Sequence, residues 1–331
     1  MDQIRLGTIG SGMIVHGILD NVKKTEGITL EAVFSRDREK GRRLAEAYGC
    51  AKVYTDMDRF LYDPDISAVY IATPNLLHYQ QAKRALLANK HVICEKPFVT
   101  RACQARELEK LAEERGLILL EMAPTPYLPN FEVLQRQLPR LGRIRLVQSN
   151  YSQYSSRYDA LRHGEKPAIF DPAFGGGCLM DINFYNILLN VLLFGMPRNA
   201  RYYANRYPGM ADTSGTAVLE YEDFISSNTG AKDTWGVNFF QIEGEQGFLY
   251  ITDGANGLRA VRVVTRDQDV LLNEQTNQDR WFYEVEAVTR ILLERDLDAA
   301  RARMKTTIDT VSLMETLRRD CGLLFPGDEG A

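Results

Sequence analysis

Histidine is scarce in this chain, four in 331 residues, and none falls in a His-Glu-x-x-His or comparable array. A catalytic metal held by imidazoles is therefore not expected. The five cysteines, Cys50, Cys94, Cys103, Cys178 and Cys321, are odd in number, scattered and never spaced Cys-x-x-Cys. That argues against a disulfide framework or a thiolate metal site and leaves reduced, mostly buried thiols. A surplus of one charge is also missing: the net charge of -4 offers no footprint for nucleic acid or an anionic membrane. The most apolar segment, Ile187 to Met196, is interrupted by Asn190 and Gly195 and falls short of the about 20 residues that span a bilayer, so it reads as a buried helix. Met1 to Leu6 enters a strand pattern without the basic start and apolar stretch of a secretory signal, and a cytoplasmic protein is expected.

With hydrophobic residues at 45% and charged residues at 25%, the composition is that of an ordinary globular protein. At 331 residues the chain exceeds the size at which one core stops growing, so two domains are expected. From Ile4 to about Ala123, short β-branched runs alternate with amphipathic helical stretches, the mark of βαβ units on a parallel sheet. Strands are expected at Arg5 to Ile9, Thr29 to Ser35, Ala68 to Ala72, His91 to Cys94 and Leu117 to Glu121, with helices between them, which makes residues 1–123 a doubly wound α/β dinucleotide-binding domain. Past Pro124 the strand-like runs lengthen, as at Ile144 to Tyr154, Ala217 to Tyr221 and Val237 to Ile242. Residues 124–331 thus read as an α+β domain with a mostly antiparallel open sheet. Helices at Ile182 to Phe194, Arg280 to Glu294 and Ala300 to Cys321 are expected to cover one face of that sheet, with the C-terminal helix able to pack back on the first domain.

Gly10-Ser11-Gly12-Met13-Ile14-Val15 follows the first strand and opens a helix, the context in which Gly-x-Gly lets backbone amides approach a pyrophosphate at a helix N-terminus. Val15 replaces the third small residue of that fingerprint, and a Gly-rich turn is the alternative. The second strand ends in Phe34-Ser35-Arg36 rather than in the Asp or Glu that binds the ribose 2′-hydroxyl of NAD. A small hydroxyl followed by a guanidinium suits a 2′-phosphate, which favours NADP(H) over NAD(H). The alternative is Arg36 as a solvated loop cation with Asp37 facing the ribose. Thr73-Pro74-Asn75-Leu76-Leu77-His78 and Glu95-Lys96-Pro97 both lie at strand ends on the rim where such sheets bind ligands, so Thr73, Pro74, Asn75, His78, Glu95 and Lys96 join the candidate cofactor contacts. Taken singly, Thr-Pro-Asn is also a good helix start, and His78 a satisfied histidine.

In the second half, Gly175-Gly176-Gly177 precedes Asp181, Asn183 and Tyr185. Three glycines allow a backbone to pass close to a ligand, and the i, i+4 step from Asp181 to Tyr185 puts carboxylate and phenol on one helix face. The competing reading is a loop leading into a buried helix with Tyr185 as a core aromatic. Lys96 on the rim of the partner domain favours the catalytic one.

Gly-x-Gly, Thr-Pro-Asn-x-x-His, Glu-Lys-Pro and Gly-Gly-Gly-x-x-x-Asp, in this order and spacing, resemble the glucose-fructose oxidoreductase/inositol dehydrogenase/MocA family over essentially the whole chain. Glu243-Gly244-Glu245-Gln246-Gly247 looks like that family's turn between late strands. Many members read Asp-x-Gly-x-His where this chain has Asn183 and Tyr185. Asp-Ile-x-x-Tyr is similar to the branch of glucose-fructose oxidoreductases and dimeric dihydrodiol dehydrogenases, whose acid/base is tyrosine. The resemblance implies hydride transfer between a nicotinamide and a sugar, cyclic polyol or related carbonyl compound, with Lys96, Asp181 and Tyr185 catalytic, and a homodimer or homotetramer formed by pairing open sheets. Tyr154, Arg157 and Tyr158, which leave the long strand toward the glycine loop, and Asn183 are the expected substrate contacts, with packing or a subunit interface as the alternative for the aromatics. A cofactor-binding sensor or co-regulator, and an NAD-dependent glycosidase, are the competing functions on this scaffold.

Overall fold

The computed structural model of the protein describes residues 3–328, which form two compact units with boundaries at Ala123/Pro124, Gln278/Asp279 and Ile308/Asp309. The first unit begins with β1 (Ile4–Ile9), α1 (Met13–Val22), β2 (Ile28–Phe34), α2 (Arg38–Ala47), β3 (Lys52–Tyr54), α3 (Met57–Leu61), β4 (Ala68–Ile71), α4 (Asn75–Leu87), β5 (His91–Glu95), α5 (Ala102–Glu114) and β6 (Leu119–Met122). Its six strands are all parallel in the order β3-β2-β1-β4-β5-β6. Every residue of β4, β5 and β6 is buried, as expected where helices cover both faces. The order reverses between β1 and β4, so the connections beyond their carboxyl ends run to opposite sides and leave a crevice.

The second unit contains α6 (Pro129–Gln137), β7 (Ile144–Ser152), α7 (Ser156–Arg162), α8 (Phe184–Phe194), β8 (Asn199–Arg206), β9 (Asp212–Glu220), β10 (Ile225–Ala231), β11 (Phe239–Gly244), β12 (Gly247–Thr252), β13 (Val261–Thr265) and β14 (Asp269–Leu272). Its eight-stranded sheet runs β14-β13-β12-β11-β7-β10-β9-β8, antiparallel everywhere except between β7 and β10. Buried amides fasten α8 to this sheet: Asn190 donates to Asn228 on β10 at 2.7 Å and accepts from Ser226 at 2.8 Å, and Ser149 on β7 donates to Asn228 at 2.8 Å. Each group here is satisfied by another, so the polar contacts fix the seating of an otherwise apolar helix. The stretch Pro172–Phe194 is long and apolar enough to span a bilayer by length and composition, but 78% of its most apolar window is buried in the protein, as in a core helix.

Two helices close the chain, α9 (Arg280–Glu294) and α10 (Leu297–Asp320). The expectation that Arg280 to Glu294 would cover the antiparallel sheet is corrected, because α9 belongs to the first unit. There the Trp281 ring packs where Gly17 of α1 has no side chain, and Asn21 of α1 donates to Asp279, the α9 N-cap, at 2.7 Å. The chain re-enters the second unit within α10.

Near its end α10 carries Arg318, fully buried, with its guanidinium paired to the equally buried Asp328 and lying over the Phe325 ring. Removing one partner of a buried ion pair strands the other charge. Arg318→Ala is expected to lose about 3 to 5 kcal/mol of unfolding free energy by urea denaturation. A loss below about 1 kcal/mol would contradict this role.

Candidate active site

In the first unit the carboxyl ends of β1, β2 and β4 open into a cleft of about 850 Å³ whose walls include Gly10, Gly12, Ser35, Arg36, Thr73 and Pro74. Gly10 has φ +124°, and a Cβ there would stand 2.3 Å from the Ala72 carbonyl oxygen, so only glycine lets β1 turn this close to β4. At Gly12 a Cβ would meet nothing within 4 Å: the open side is the cleft. Gly12 is also the N-cap of α1 and contributes no side chain to its first amides, which leaves them available to an anion. Met13 and Ile14 form the first helical turn past Gly12, with Met13 exposed, and Asn75 opens α4 beside Pro74, whose own helix start likewise lacks a side-chain cap.

The end of β2 separates the two readings of the ribose site. The Asp37 carboxylate accepts from the Glu39 and Lys40 amides at 3.0 and 3.1 Å and so caps α2. It is engaged in the helix cap, while Arg36, Lys40 and Arg84 bring three cations to the same cleft beside Ser35. Arg84 is partly offset by Asp58 at 2.6 Å.

Two expected cofactor contacts are corrected. His78 is fully buried, with Nε2 2.7 Å from the Thr73 carbonyl and Nδ1 3.1 Å from the carbonyls of Pro97 and Phe98. It ties the loop after β4 to the loop after β5, so its contribution is to the shape of the rim. Glu95 is buried too, accepting from the Tyr70 hydroxyl at 2.6 Å. Burial pushes its carboxyl up to about 7 against the pull of Tyr70 and of the neighbouring Lys96 ammonium. Lys96 itself, directly after β5, is half-buried. Nearby Glu121, at about 7 for the same reason, accepts from the Phe98 amide at 2.8 Å and the Thr307 hydroxyl at 3.0 Å.

In the second unit Gly176 and Gly177 pass close to protein rather than to open space, which corrects the ligand-approach reading at these two positions. A Cβ on Gly176 would lie 2.5 Å from the Ile169 carbonyl oxygen, and one on Gly177, at φ +131°, would lie 2.2 Å from Oδ1 of Asp212. The buried Asp212 carboxylate accepts from the Leu179 amide at 2.7 Å and the Tyr202 hydroxyl at 2.6 Å, and burial pushes it up to about 6. Leu179–Asn183 then form a π-helical turn before α8, so Asp181 and Tyr185 do not share an ordinary i, i+4 face. Asp181 is instead joined by Nζ of Lys232, a buried lysine just after β10, at 2.5 Å. Tyr185 is buried, its ring edge-on to Tyr151 with centroids 6.1 Å apart, and the Tyr151 hydroxyl accepts from Asn256 at 2.8 Å.

Asn183 is corrected as a substrate contact. It is fully buried, donating to the Asn228 carbonyl at 3.1 Å and accepting from Asn186 at 2.9 Å. The strand-like run expected from Ile144 to Tyr154 ends at Ser152, and the Ser155 hydroxyl then accepts from the Arg157 amide at 3.2 Å and caps α7. Arg157 is exposed on that helix, and Tyr154 and Tyr158 meet edge-on at 6.0 Å. Lys232, Asp212 and Asn256 were not anticipated. A lysine closing a Ser/Asn/Thr/Gly-rich strand was the one available signal, and it does not name its partner.

Residues 4–122 match the family model described as an oxidoreductase family with an NAD-binding Rossmann fold, and residues 138–250 match the GFO/IDH/MocA C-terminal domain. The fold and these matches define a dinucleotide-binding oxidoreductase. The chain belongs to the glucose-fructose oxidoreductase/inositol dehydrogenase/MocA family. It is similar to the scyllo-inositol 2-dehydrogenase (NADP(+)) IolU of Bacillus subtilis, 32% identical over 98% of this chain and 99% of that one. It is also similar to the trans-1,2-dihydrobenzene-1,2-diol dehydrogenase of Sus scrofa, 24% identical over 98% and 99% of the two chains. Among solved structures, a 3-ketoreductase from Actinomadura kijaniata in complex with NADP and TDP-benzene shares the fold with a TM-score of 0.86 at 22% identity, covering 96% of this chain and 98% of that one.

The glycines differ in what they predict. Gly10→Ala must displace the Ala72 carbonyl, so it is expected to lower Tm by several degrees and abolish cofactor binding. Gly12→Ala should keep Tm within about 2 °C while weakening NADPH binding at least about tenfold by titration calorimetry. Unchanged affinity in Gly12→Ala would contradict the cleft assignment. For the carboxyls, the folded protein keeps protons that the unfolded chain releases above its usual value of about 4.3. The stability they contribute is present below that pH and lost as pH rises through about 7. Tm scans between pH 5 and pH 8 should fall less steeply in Glu121→Gln than in the parent protein, and parallel scans would contradict the assignment.

Proposed function

We propose that the protein transfers a hydride between NADP(H) and a carbinol or carbonyl carbon of a cyclic polyol, sugar or related carbonyl compound. The observation that carries the cofactor assignment is the cleft end where Ser35, Arg36, Lys40 and Arg84 converge while Asp37 is engaged in the α2 cap. Three cations and a hydroxyl suit a 2′-phosphate, and they outnumber the one carboxylate of this cleft end, Asp37, whose Oδ1 is given to the α2 cap. The substrate class draws support from two full-length relatives whose names specify a cyclic polyol and a cyclic diol, and the Bacillus relative's name specifies NADP(+).

Bound at the cleft, the nicotinamide would accept or return the hydride. Tyr185 takes up or releases the proton. A free phenol titrates near 10, so it needs a cation to serve as a base at neutral pH. Lys96 is assigned that role and the polarisation of the reacting oxygen. Asp181, oriented by its ion pair with Lys232, accepts hydrogen bonds from substrate hydroxyls. Tyr154 and Arg157 are assigned to the substrate's outer edge. A second copy is assigned to the sheet face opposite α8, where Leu146, Tyr203, Ile225 and Leu271 are exposed, giving a homodimer or, by pairing two dimers, a homotetramer.

Lys96→Ala and Tyr185→Phe are each expected to lose at least about two decades of turnover while NADPH still binds, and Arg36→Ala to raise KM for NADPH about tenfold with little change for NADH. Absorbance at 340 nm with inositols, aldoses, ketoses and dicarbonyls checks all three. Near-normal turnover in Tyr185→Phe would remove the tyrosine from its role, and absence of NADP(H) turnover with every compound would contradict the proposal.

A further inference from the structure

Trp235 stands 78% exposed between β10 and β11. A single exposed apolar side chain is ordinary on a folded surface, so what distinguishes this one is how it is held. This ring is held flat: it stacks on Tyr154 with centroids 5.4 Å apart and planes 9° from parallel. Tyr154 is fixed in turn, its hydroxyl donating to Asp159 at 2.6 Å and its ring met edge-on by Tyr158, which packs against the buried Phe170. One indole face is therefore covered by a prearranged ring, and most of the indole is open.

The platform is tied through the backbone to the strand end that carries Lys232. The Gln153 amide donates to the Ala231 carbonyl at 2.8 Å and the Ser155 amide to the Lys232 carbonyl at 2.9 Å. Tyr154 thus runs beside Lys232, about 5 Å away at ordinary ladder spacing, and Trp235 follows Lys232 by three residues. Lys232 is the ammonium paired with Asp181. The exposed indole and the lysine of this ion pair are thus carried by one short stretch of chain, residues 232–235.

We propose that Trp235 and Tyr154 form a ring-stacking subsite that takes the C–H face of a cyclic polyol or pyranose, whose hydroxyls are directed toward Asp181 and Lys232. This rests on the oxidoreductase reading above and specifies its substrate class. A saturated six-membered ring with equatorial hydroxyls presents its axial C–H bonds on the faces and its oxygens around the edge. The faces gain by leaving water for an aromatic surface, and the edge is satisfied by carboxylate and ammonium. An open-chain polyol has no preformed apolar face and loses more conformational freedom on binding.

The chain has two tryptophans, Trp235 and Trp281, so Trp281→Phe leaves Trp235 as the only indole. Emission of that variant is expected to change saturably with scyllo-inositol or D-glucose in the presence of NADPH, and not with D-sorbitol. If Trp281→Phe does not fold, the difference between the parent protein and Trp235→Phe gives the same reading. Trp235→Ala should raise KM for a cyclic substrate about tenfold or more, carrying most of the loss in kcat/KM, and Trp235→Phe should recover most of it. Emission indifferent to cyclic polyols together with an unchanged KM overturns the subsite. So does an emission change that follows protein concentration instead of sugar, which would place a second copy over the indole. A sugar-dependent emission change without any NADP(H) turnover supports the subsite while removing the hydride-transfer reading, and turnover of a cyclic substrate to which Trp235 is indifferent does the reverse.

Discussion

The carboxylate of Asp212, at the start of β9, has no exposure and accepts hydrogen bonds from the Leu179 amide and the Tyr202 hydroxyl. Through Leu179 it caps the π-helical turn that presents Asp181, and its Oδ1 occupies the space a side chain at position 177 would need. Both hydrogen bonds fall on Oδ2 and offset part of the cost of burying this carboxylate. The glycine run, the turn and the entry to α8 are therefore one arrangement built around a single group. With the turn held, Asp181 meets Lys232 from the neighbouring strand end, and Tyr185 follows on the first turn of α8 against Tyr151.

The first unit rests on a steric constraint instead. β1 and β4 run so close at their carboxyl ends that position 10 admits only glycine, and that approach opens the crevice at the point where the strand order reverses. Around this crevice the buried groups shape the walls: His78 joins two rim loops, and Glu95 and Glu121 anchor the ends of β5 and β6 through hydrogen bonds that burial strengthens. The exposed groups are the cations at the end of β2. Shape and charge are thus supplied by different residues, which lets the charge of the cleft vary without disturbing the sheet.

Much of this architecture was legible in the sequence because it depends on local pattern. Period-2 and period-3.6 hydrophobicity found five of the six parallel strands, and turn chemistry located Gly10 and Gly12. Lys52–Tyr54 escaped because three half-buried residues carry too little pattern. His78, Glu95 and Asn183 were read as ligand contacts since a polar residue in a motif looks the same whether it faces a cleft or a buried carbonyl, and only tertiary packing separates the two. Lys232 and Asp212 lie 51 and 33 residues from the groups they hold, beyond what spacing reports. The α9 helix was legible as a helix, but its docking partner depended on a missing side chain at Gly17 of a distant element.

The central claim is direct hydride transfer between a ring carbon of the substrate and the nicotinamide. It is tested by incubating the protein with NADP+ and scyllo-inositol deuterated at its ring carbons, then reading the NADPH formed by mass spectrometry and proton NMR. One deuterium at C4 of the nicotinamide in each NADPH is the predicted result. NADPH without deuterium, or deuterated substrate returned unchanged alongside oxidised cofactor, would contradict it.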